Sequence, residues 1–233
     1  MAPTYNEEIV MELCSMTKLH ASVAVLLLVG KGIVTLDEEV SYLIPSFATQ
    51  KTLAGFADDG TPSASVNSLY RYATSSRTPP VLATPFYTSH WSTEAGTVDE
   101  LFDLPFLHGP GEGYLCSPAV DPVGQVVRKL TGQSLEKHET IYLGPARGGV
   151  PTTFSAEDTS PVAKRPGAPT SATFLKEPLR GQGLCANTPD YVKLTLSLLV
   201  NDEEALKEQT ASVIYRPPLS PASKRDLLMK TPG

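Results

Sequence analysis

The sequence predicts a helix-rich fold with few β-strands, and three features of the 233-residue chain support this prediction. Three segments, beginning near residues 16, 121 and 188, carry apolar side chains at helical spacing. Alternation of apolar and polar residues, the pattern of a half-buried strand, is scarce. The chain also contains 21 prolines and 17 glycines, which indicate long connections between few regular elements.

A first helix is predicted from Met16 to about Val29, because apolar residues recur there three and four positions apart. Gly30 or Gly32 is expected to end this helix. Residues 1–13 are expected to hold one strand or a turn. The predicted apolar face of the helix consists of Leu19, Val23, Leu26 and Leu27.

The region that follows the first helix gives weaker signals. Residues 58–62 read D-D-G-T-P, which is typical of a turn. From Ser63 to Gly113 the apolar residues show no regular spacing over more than a few positions. This region is therefore expected to form loops and one helix near Val66–Tyr72.

A second helix is predicted to begin at Asp121-Pro122, since proline is favoured near the first helical position. Its apolar residues lie at helical spacing, Gly132 is expected to end it, and Ser134–His138 is predicted to continue as a short helix. The apolar positions are Val123, Val126, Val127 and Leu130.

A third helix is predicted from Thr188-Pro189-Asp190, with Thr188 as its N-cap. Its apolar stripe consists of Tyr191, Leu194 and Leu198. Residues 144–180 are expected to form loops. The proline-rich tail from Arg216 is expected to be extended.

Composition excludes several classes of function. The net charge is −6 and no basic cluster occurs, which argues against a nucleic-acid or anionic-membrane partner. Three cysteines without a C-x-x-C pair make structural zinc and a disulfide framework improbable, and they indicate a reducing compartment, hence a cytoplasmic protein. The four histidines are scattered and predict no metal site. The apolar run Ala21–Val29 is too short to span a bilayer and is interpreted as a buried helix.

The residues Ser15-Met16-Thr17-Lys18 form an S-x-x-K pattern at the start of the first predicted helix. Residues three apart share one face of a helix, so the Ser15 hydroxyl and the Lys18 amine can meet. The N-terminus of a helix favours developing negative charge, and a lysine in a poorly solvated pocket can take the proton of a hydroxyl. The pattern therefore predicts a serine nucleophile with a lysine base. The alternative is an ordinary helix start with a solvated lysine, since a bare S-x-x-K pattern is weak.

Five segments occur in an order that is typical of one superfamily. They read S-M-T-K-L; G-K-G-I-V-T-L-D-E-E-V with L-I-P-S-F; P-G-E-G-Y-L-C-S-P-A-V-D-P-V-G-Q-V-V-R-K-L-T-G-Q-S-L-E-K; G-Q-G-L-C-A-N-T-P-D-Y-V-K-L; and L-S-P-A-S-K. In this order, from about residue 7 to residue 228, they resemble the serine β-lactamase and penicillin-binding-protein-like superfamily. Within it, the chain is most similar to the fungal transesterases and acyltransferases of the lovastatin acyltransferase type, and to class C-like esterases.

The resemblance implies an α+β fold of the β-lactamase/transpeptidase type, helix-rich and incomplete, with much of the central antiparallel sheet missing. One partial domain is expected over residues 1–233. It comprises a nucleophile helix region at 7–62, an irregular region at 63–113, and a second-motif helix and C-terminal helical part at 114–228. Because family members carry further strands before the nucleophile helix and after the third motif, the chain is expected to be truncated.

Other motifs depart from the family pattern. The family's second motif carries a tyrosine that shares proton transfer with the lysine, but Cys116 stands at this position and Tyr114 lies two places earlier. These two residues are interpreted as a degenerate second motif. Lys230-Thr231-Pro232-Gly233 imitates the family's K-T-G motif, but its proline would interrupt strand pairing. Residues 68–76 occupy the place of a histidine-bearing segment and contain no histidine.

The resemblance implies a serine acyltransferase or esterase that acts through an acyl-serine intermediate in fungal secondary-metabolite (polyketide) biosynthesis. Ser15 would be the nucleophile and Lys18 the base, so no metal or organic cofactor is implied. The expected partners are an alcohol acceptor and a small-molecule acyl donor, an ester or thioester carried by a carrier protein or CoA. The alternative is a catalytically inactive truncated homologue with a binding role or none. A weaker hypothesis is thiol chemistry by Cys116 beside Lys18.

Overall fold

The computed structural model describes residues 7, 9–49, 51–59, 62–67, 112, 120–143, 183–216 and 220–230. A 3₁₀ turn, Cys14–Met16, precedes the first helix. The regular elements of the described residues are β1 (Met11–Glu12), α1 (Thr17–Gly30), α2 (Ser46–Thr49), β2 (Lys51–Phe56), β3 (Pro62–Asn67), α3 (Asp121–Thr131), α4 (Leu135–Leu143), β4 (Cys185–Ala186), α5 (Thr188–Val200), α6 (Glu208–Ala211) and α7 (Pro221–Lys230).

The chain divides into two compact units, of which the first contains residues 1–33 and 123–216. Helix α1 is at its centre and packs against α4 and α6. Most of its side chains are buried, including His20, so the helix is covered nearly all round instead of along one stripe. At its end, a Cβ on Gly30 would lie 3.0 Å from the Thr210 hydroxyl oxygen, which explains the glycine at this close approach.

A short antiparallel pair joins distant parts of the first unit. Strand β1 pairs with β4, with Met11 opposite Ala186 and Glu12 opposite Cys185. The Leu13 N–H continues the pairing with a 2.8 Å hydrogen bond to the Leu184 carbonyl oxygen. This pair fixes the chain at the entrance to the 3₁₀ turn.

Two predicted helices, α5 and all but the first two residues of α3, belong to this unit, and they differ slightly at their ends from the prediction. Helix α3 begins at Asp121 and ends at Thr131, before Gly132, whose φ of +69° suits a glycine. The predicted N-cap of α5, Thr188, is wrong: the Asn187 side chain accepts a 2.9 Å hydrogen bond from the Asp190 N–H. Leu194 and Leu198 are buried as predicted.

The second unit contains residues 34–122 and 217–233. Strands β2 and β3 form an antiparallel hairpin, with Phe56 opposite Pro62 across the predicted turn. The strand Pro62–Asn67 occupies positions where loops and the start of a helix were expected. Its sequence, P-S-A-S-V-N, alternates small apolar residues with polar ones over only six positions, and its pairing with β2 establishes it as a strand.

The extended tail predicted from Arg216 is wrong, because residues 221–230 form helix α7. The Ser220 hydroxyl accepts a 3.1 Å hydrogen bond from the Ser223 N–H, as an N-cap does, and Pro221 follows it. No helix within the described ranges is long and apolar enough to cross a membrane. The division into regions 7–62, 63–113 and 114–228 stays a prediction.

Candidate active site

The structure brings together the two residues of the predicted nucleophile–base pair. The Lys18 Nζ atom donates a 3.2 Å hydrogen bond to the Ser15 hydroxyl oxygen. Ser15 lies in the 3₁₀ turn and Lys18 in the first turn of α1, three positions further on. Ser15 is exposed and Lys18 is half-buried. The hydroxyl is therefore open to a substrate while it contacts the amine.

The residue before Ser15 has an unusual backbone conformation. Cys14 has a φ of +48°, in the left-handed region that residues with a Cβ seldom adopt. Such a conformation costs about 1–2 kcal/mol, and strained residues of this kind cluster at functional sites. It turns the chain from β1 into the helix within a few residues, which leaves Ser15 at the surface.

Leu184 holds the turn on both sides of Ser15. Its carbonyl oxygen accepts from the Leu13 N–H at 2.8 Å, and its own N–H donates to the Thr17 hydroxyl oxygen at 3.2 Å. Thr17 and Leu184 are fully buried. This contact could not be predicted from the sequence, because Thr17 occupies a variable position inside the S-x-x-K pattern.

A group of buried polar side chains lies where α1 contacts α4 and α5. His20 Nδ1 of α1 lies 3.6 Å from Glu139 Oε2 of α4, and both side chains are fully buried. The His20 ring also packs on Tyr191 of α5, with ring centroids 5.5 Å apart. Buried polar groups need partners, and these contacts link α1 to α4 and α5.

A second buried histidine belongs to the same group. His138 precedes Glu139 on α4 and is fully buried. Burial above all, and then the positive charge of Lys31, lower the pKa of His138. The scattered sequence positions of the histidines gave no sign of this group. In the part of the chain that the structure describes, no three His, Cys, Asp or Glu side chains converge to hold a metal ion.

The remaining predicted site residues lie outside the described residues. These are Tyr114 and Cys116 of the degenerate second motif. The segment at residues 230–233, which imitates the family's third motif, begins at Lys230, the last residue of helix α7. Residues 231–233 lie outside the described residues. The described site is thus a serine and a lysine at the N-terminus of a buried helix.

The sequence and fold now place the chain among known proteins. Residues 2–230 match the Beta-lactamase family, and the chain belongs to this family. It is 27% identical over 241 residues to lovastatin esterase of Penicillium rubens, covering 91% of this chain and 60% of that protein. It is 24% identical over 243 residues to monacolin J acid methylbutanoyltransferase of Aspergillus terreus, covering 90% of this chain and 57% of that protein. The chain thus spans about three fifths of the length of these curated relatives.

Solved structures agree on the fold. Unliganded simvastatin synthase from Aspergillus terreus superposes with a TM-score of 0.81 at 21% identity, covering 98% of this chain and 63% of that one. A penicillin-binding protein homologue from Pyrococcus abyssi gives a TM-score of 0.63 at 17% identity, covering 89% of this chain and 48% of that one. The predicted β-lactamase/transpeptidase-like, helix-rich fold and the predicted family are confirmed.

Proposed function

We propose that this chain is a serine acyltransferase or esterase of fungal secondary metabolism that acts through an acyl-serine intermediate at Ser15. The observation that carries the proposal is the 3.2 Å contact between the Lys18 amine and the Ser15 hydroxyl at the start of a buried helix. The names of the relatives, an esterase and a methylbutanoyltransferase, indicate the chemistry and a small acyl group.

In the proposed reaction, the Ser15 oxygen acts as the nucleophile and the Lys18 amine as the base. The Ser15 oxygen attacks the carbonyl carbon of an ester or thioester, and the Lys18 amine takes the hydroxyl proton. The alcohol or thiol of the donor then leaves with a proton, so that the acyl group remains on Ser15. An acceptor alcohol, or water, attacks this acyl-serine and releases the new ester or the acid.

The proposed partners are small molecules. The donor is an ester or thioester, with a carrier protein or CoA as the thioester's leaving part, and the acceptor is a polyketide-type alcohol. The cysteine pattern favours the cytoplasm, where CoA thioesters and thiols coexist. Neither role needs a metal or an organic cofactor, because the nucleophile and the base are both side chains.

A second candidate function is ligand binding without turnover. The observation that favours it is Cys116 at the position where the family pattern has a tyrosine. A cysteine side chain is shorter than a tyrosine side chain, so it would not deliver a proton to the same point. Such a chain could still accept an acyl group on Ser15 without releasing it efficiently.

Covalent labelling separates these candidates. A fluorophosphonate probe, from which a nucleophilic serine displaces fluoride, is expected to add once to the wild-type chain and not to Ser15→Ala. Ser212→Ala, which removes a half-buried serine hydroxyl at the C-terminal end of α6, is the matched control and should label as wild type. Labelling with turnover of a short acyl thioester supports the enzyme, and labelling without turnover supports the binding protein. Absence of an adduct, or an equal adduct on Ser15→Ala, would overturn both.

A further inference from the structure

Helix α5 carries apolar side chains on two opposite faces. One face, which includes Leu194 and Leu198, is buried in the first unit. The other face bears four apolar residues that are each half or more exposed, and their spacing places them on one side of a helix. These four residues, here called the exposed α5 stripe, are Val192, Leu196, Leu199 and Val200.

Tyr215 extends this apolar surface. Its hydroxyl donates a 2.7 Å hydrogen bond to the carbonyl oxygen of Leu198, the residue before Leu199, so the tyrosine lies beside the C-terminal end of the stripe. Tyr215 is itself 58% exposed. The five side chains together present on the order of 400 Å² of apolar surface, which is the size of the largest apolar patches on monomers and marks an interaction site.

The charges around the stripe favour a second copy of this chain over an anionic membrane. Three exposed acidic residues, Asp202, Glu203 and Glu204, follow α5, and the net charge of the chain is −6, so an anionic lipid surface would repel this end. Lys193 lies exposed on the N-terminal half of the helix. When two copies of α5 pack in opposite directions, Lys193 of each copy lies toward the acidic end of the other. The helix dipoles also attract each other in this arrangement.

We propose that the exposed α5 stripe is the interface of a two-fold symmetric dimer of this chain, in which the two α5 helices pack antiparallel around Leu196. A two-fold axis uses the same surface on both copies. Leu196 is the midpoint of the stripe, so Val192 of one copy lies against Val200 of the other. This inference is independent of the proposed function.

The area of the stripe is sufficient for such a dimer. Two copies would bury roughly 800 Å² of apolar surface between them. Because about 65% of a homodimer interface is apolar, the whole interface would bury about 1,200 Å², which reaches the lower limit of stable protein–protein interfaces. A dimer of this size dissociates on dilution.

Light scattering coupled to size-exclusion chromatography tests the dimer with the full chain over a dilution series. The wild type is expected to show twice the 24.9 kDa mass of one chain. Leu196→Glu places two like charges at the two-fold axis, so it should raise the dissociation constant at least about 100-fold. Leu228→Glu, which changes an exposed leucine of α7, is the matched control and should dimerise as wild type. A wild-type chain that stays monomeric, or that forms open-ended polymers, would overturn the proposal.

A mixture of two variants tests whether the partner is a second copy that meets Leu196 with its own Leu196. Leu196→Lys alone should be monomeric, like Leu196→Glu. An equimolar mixture of the two variants should form dimers again, because opposite charges then meet at the axis. Recovery also shows that both variants are folded. A mixture that stays monomeric although both variants melt at the wild-type temperature would contradict the proposed axis.

Cysteine cross-linking tests the direction of the two helices. In the antiparallel pair the two Leu196 side chains meet, whereas the two Val192 positions lie about 12 Å apart along the helix axis. In a Cys14→Ala background, Leu196→Cys should therefore form a disulfide-linked dimer on mild oxidation and Val192→Cys should not. Trypsin places residue 196 in the peptide 194–207, so mass spectrometry identifies this peptide linked to its own copy. Equal linking at both positions, or none at residue 196, would overturn the proposed dimer.

Discussion

The Thr17 hydroxyl oxygen accepts a 3.2 Å hydrogen bond from the Leu184 backbone N–H, and both residues are fully buried. Because Leu184 also accepts from the Leu13 N–H at 2.8 Å, one residue binds the nucleophile turn before and after Ser15. The Ser15–Lys18 contact thus depends on a segment that is far away in the sequence. Rigid support of this kind keeps a nucleophile within reach of its base.

Replacement of Thr17 by valine should destabilise the chain by about 1–3 kcal/mol, because the buried Leu184 N–H loses its acceptor while the side-chain volume is kept. Thermal and urea denaturation measure the change. Thr17→Ser retains the oxygen and is expected to stay within about 1 kcal/mol of wild type. Thr195→Val is the matched control, since the Thr195 hydroxyl only donates within its own helix. Equal stability of Thr17→Val and Thr17→Ser would contradict the assignment.

Removal of the Lys18 amine should abolish most of the reactivity of Ser15. Lys18→Met keeps the length of the side chain but cannot take a proton, so fluorophosphonate labelling should slow about 10²–10⁴-fold. The melting temperature should change little, because Ser15 and the Lys18 amine meet near the surface. Lys137→Met, which removes the same charge from an exposed position on α4, should label at the wild-type rate. Equal labelling of Lys18→Met and wild type would exclude Lys18 as the base.

Local signals in the sequence were sufficient to predict that the Ser15 and Lys18 side chains meet at the start of a helix. The three-residue spacing of Ser15 and Lys18 and the apolar run that ends at Gly30 are sequence-local, and the structure places both as expected. The buried His20–Glu139 contact could not be predicted, because it joins two helices and either residue alone reads as a polar surface position. The Thr17–Leu184 hydrogen bond could not be predicted either, because it joins two residues that are far apart in the sequence.

Strands were harder to predict than helices for a physical reason. Strands β1 and β4 have two residues each, too few to show any alternation, and they are strands only because they pair with each other. Helix α7, in contrast, could have been predicted. Ser220 before Pro221 is an N-cap followed by proline at the first helical position, but the tail's prolines were interpreted as a mark of extended chain.

Substitutions at the start of α5 can distinguish Asn187 from Thr188 as the N-cap residue. Asn187→Ala should destabilise the chain by about 1 kcal/mol, because its side chain accepts from the Asp190 N–H at 2.9 Å. Asn187→Asp and Asn187→Ser keep an acceptor and should retain most of the stability. Thr188→Ala is the matched control, since Thr188 is exposed and lies within the helix. A larger loss for Thr188→Ala than for Asn187→Ala, measured by urea denaturation, would restore Thr188 as the cap.

The buried His138 should make the stability of the fold fall in mild acid. Burial and the charge of Lys31 lower the pKa of His138 in the folded chain, although the Ala24 backbone and Glu139 oppose the shift. The unfolded chain binds this proton with a pKa of about 6.5, so it holds more protons than the folded chain below that pH. The contribution of His138 is therefore complete above about pH 6.5 and is lost as the pH falls from there toward the lower pKa of the folded state.

Thermal denaturation between about pH 8 and pH 5 measures this loss. His138→Gln, which is neutral throughout, should show a shallower decline in melting temperature than wild type. Lys31→Met removes the charge that helps to lower the pKa of His138, so its decline should also be shallower. Since burial is the larger cause, the effect of Lys31→Met should be smaller than that of His138→Gln. Identical pH profiles for wild type and His138→Gln would show that another group controls the acid response.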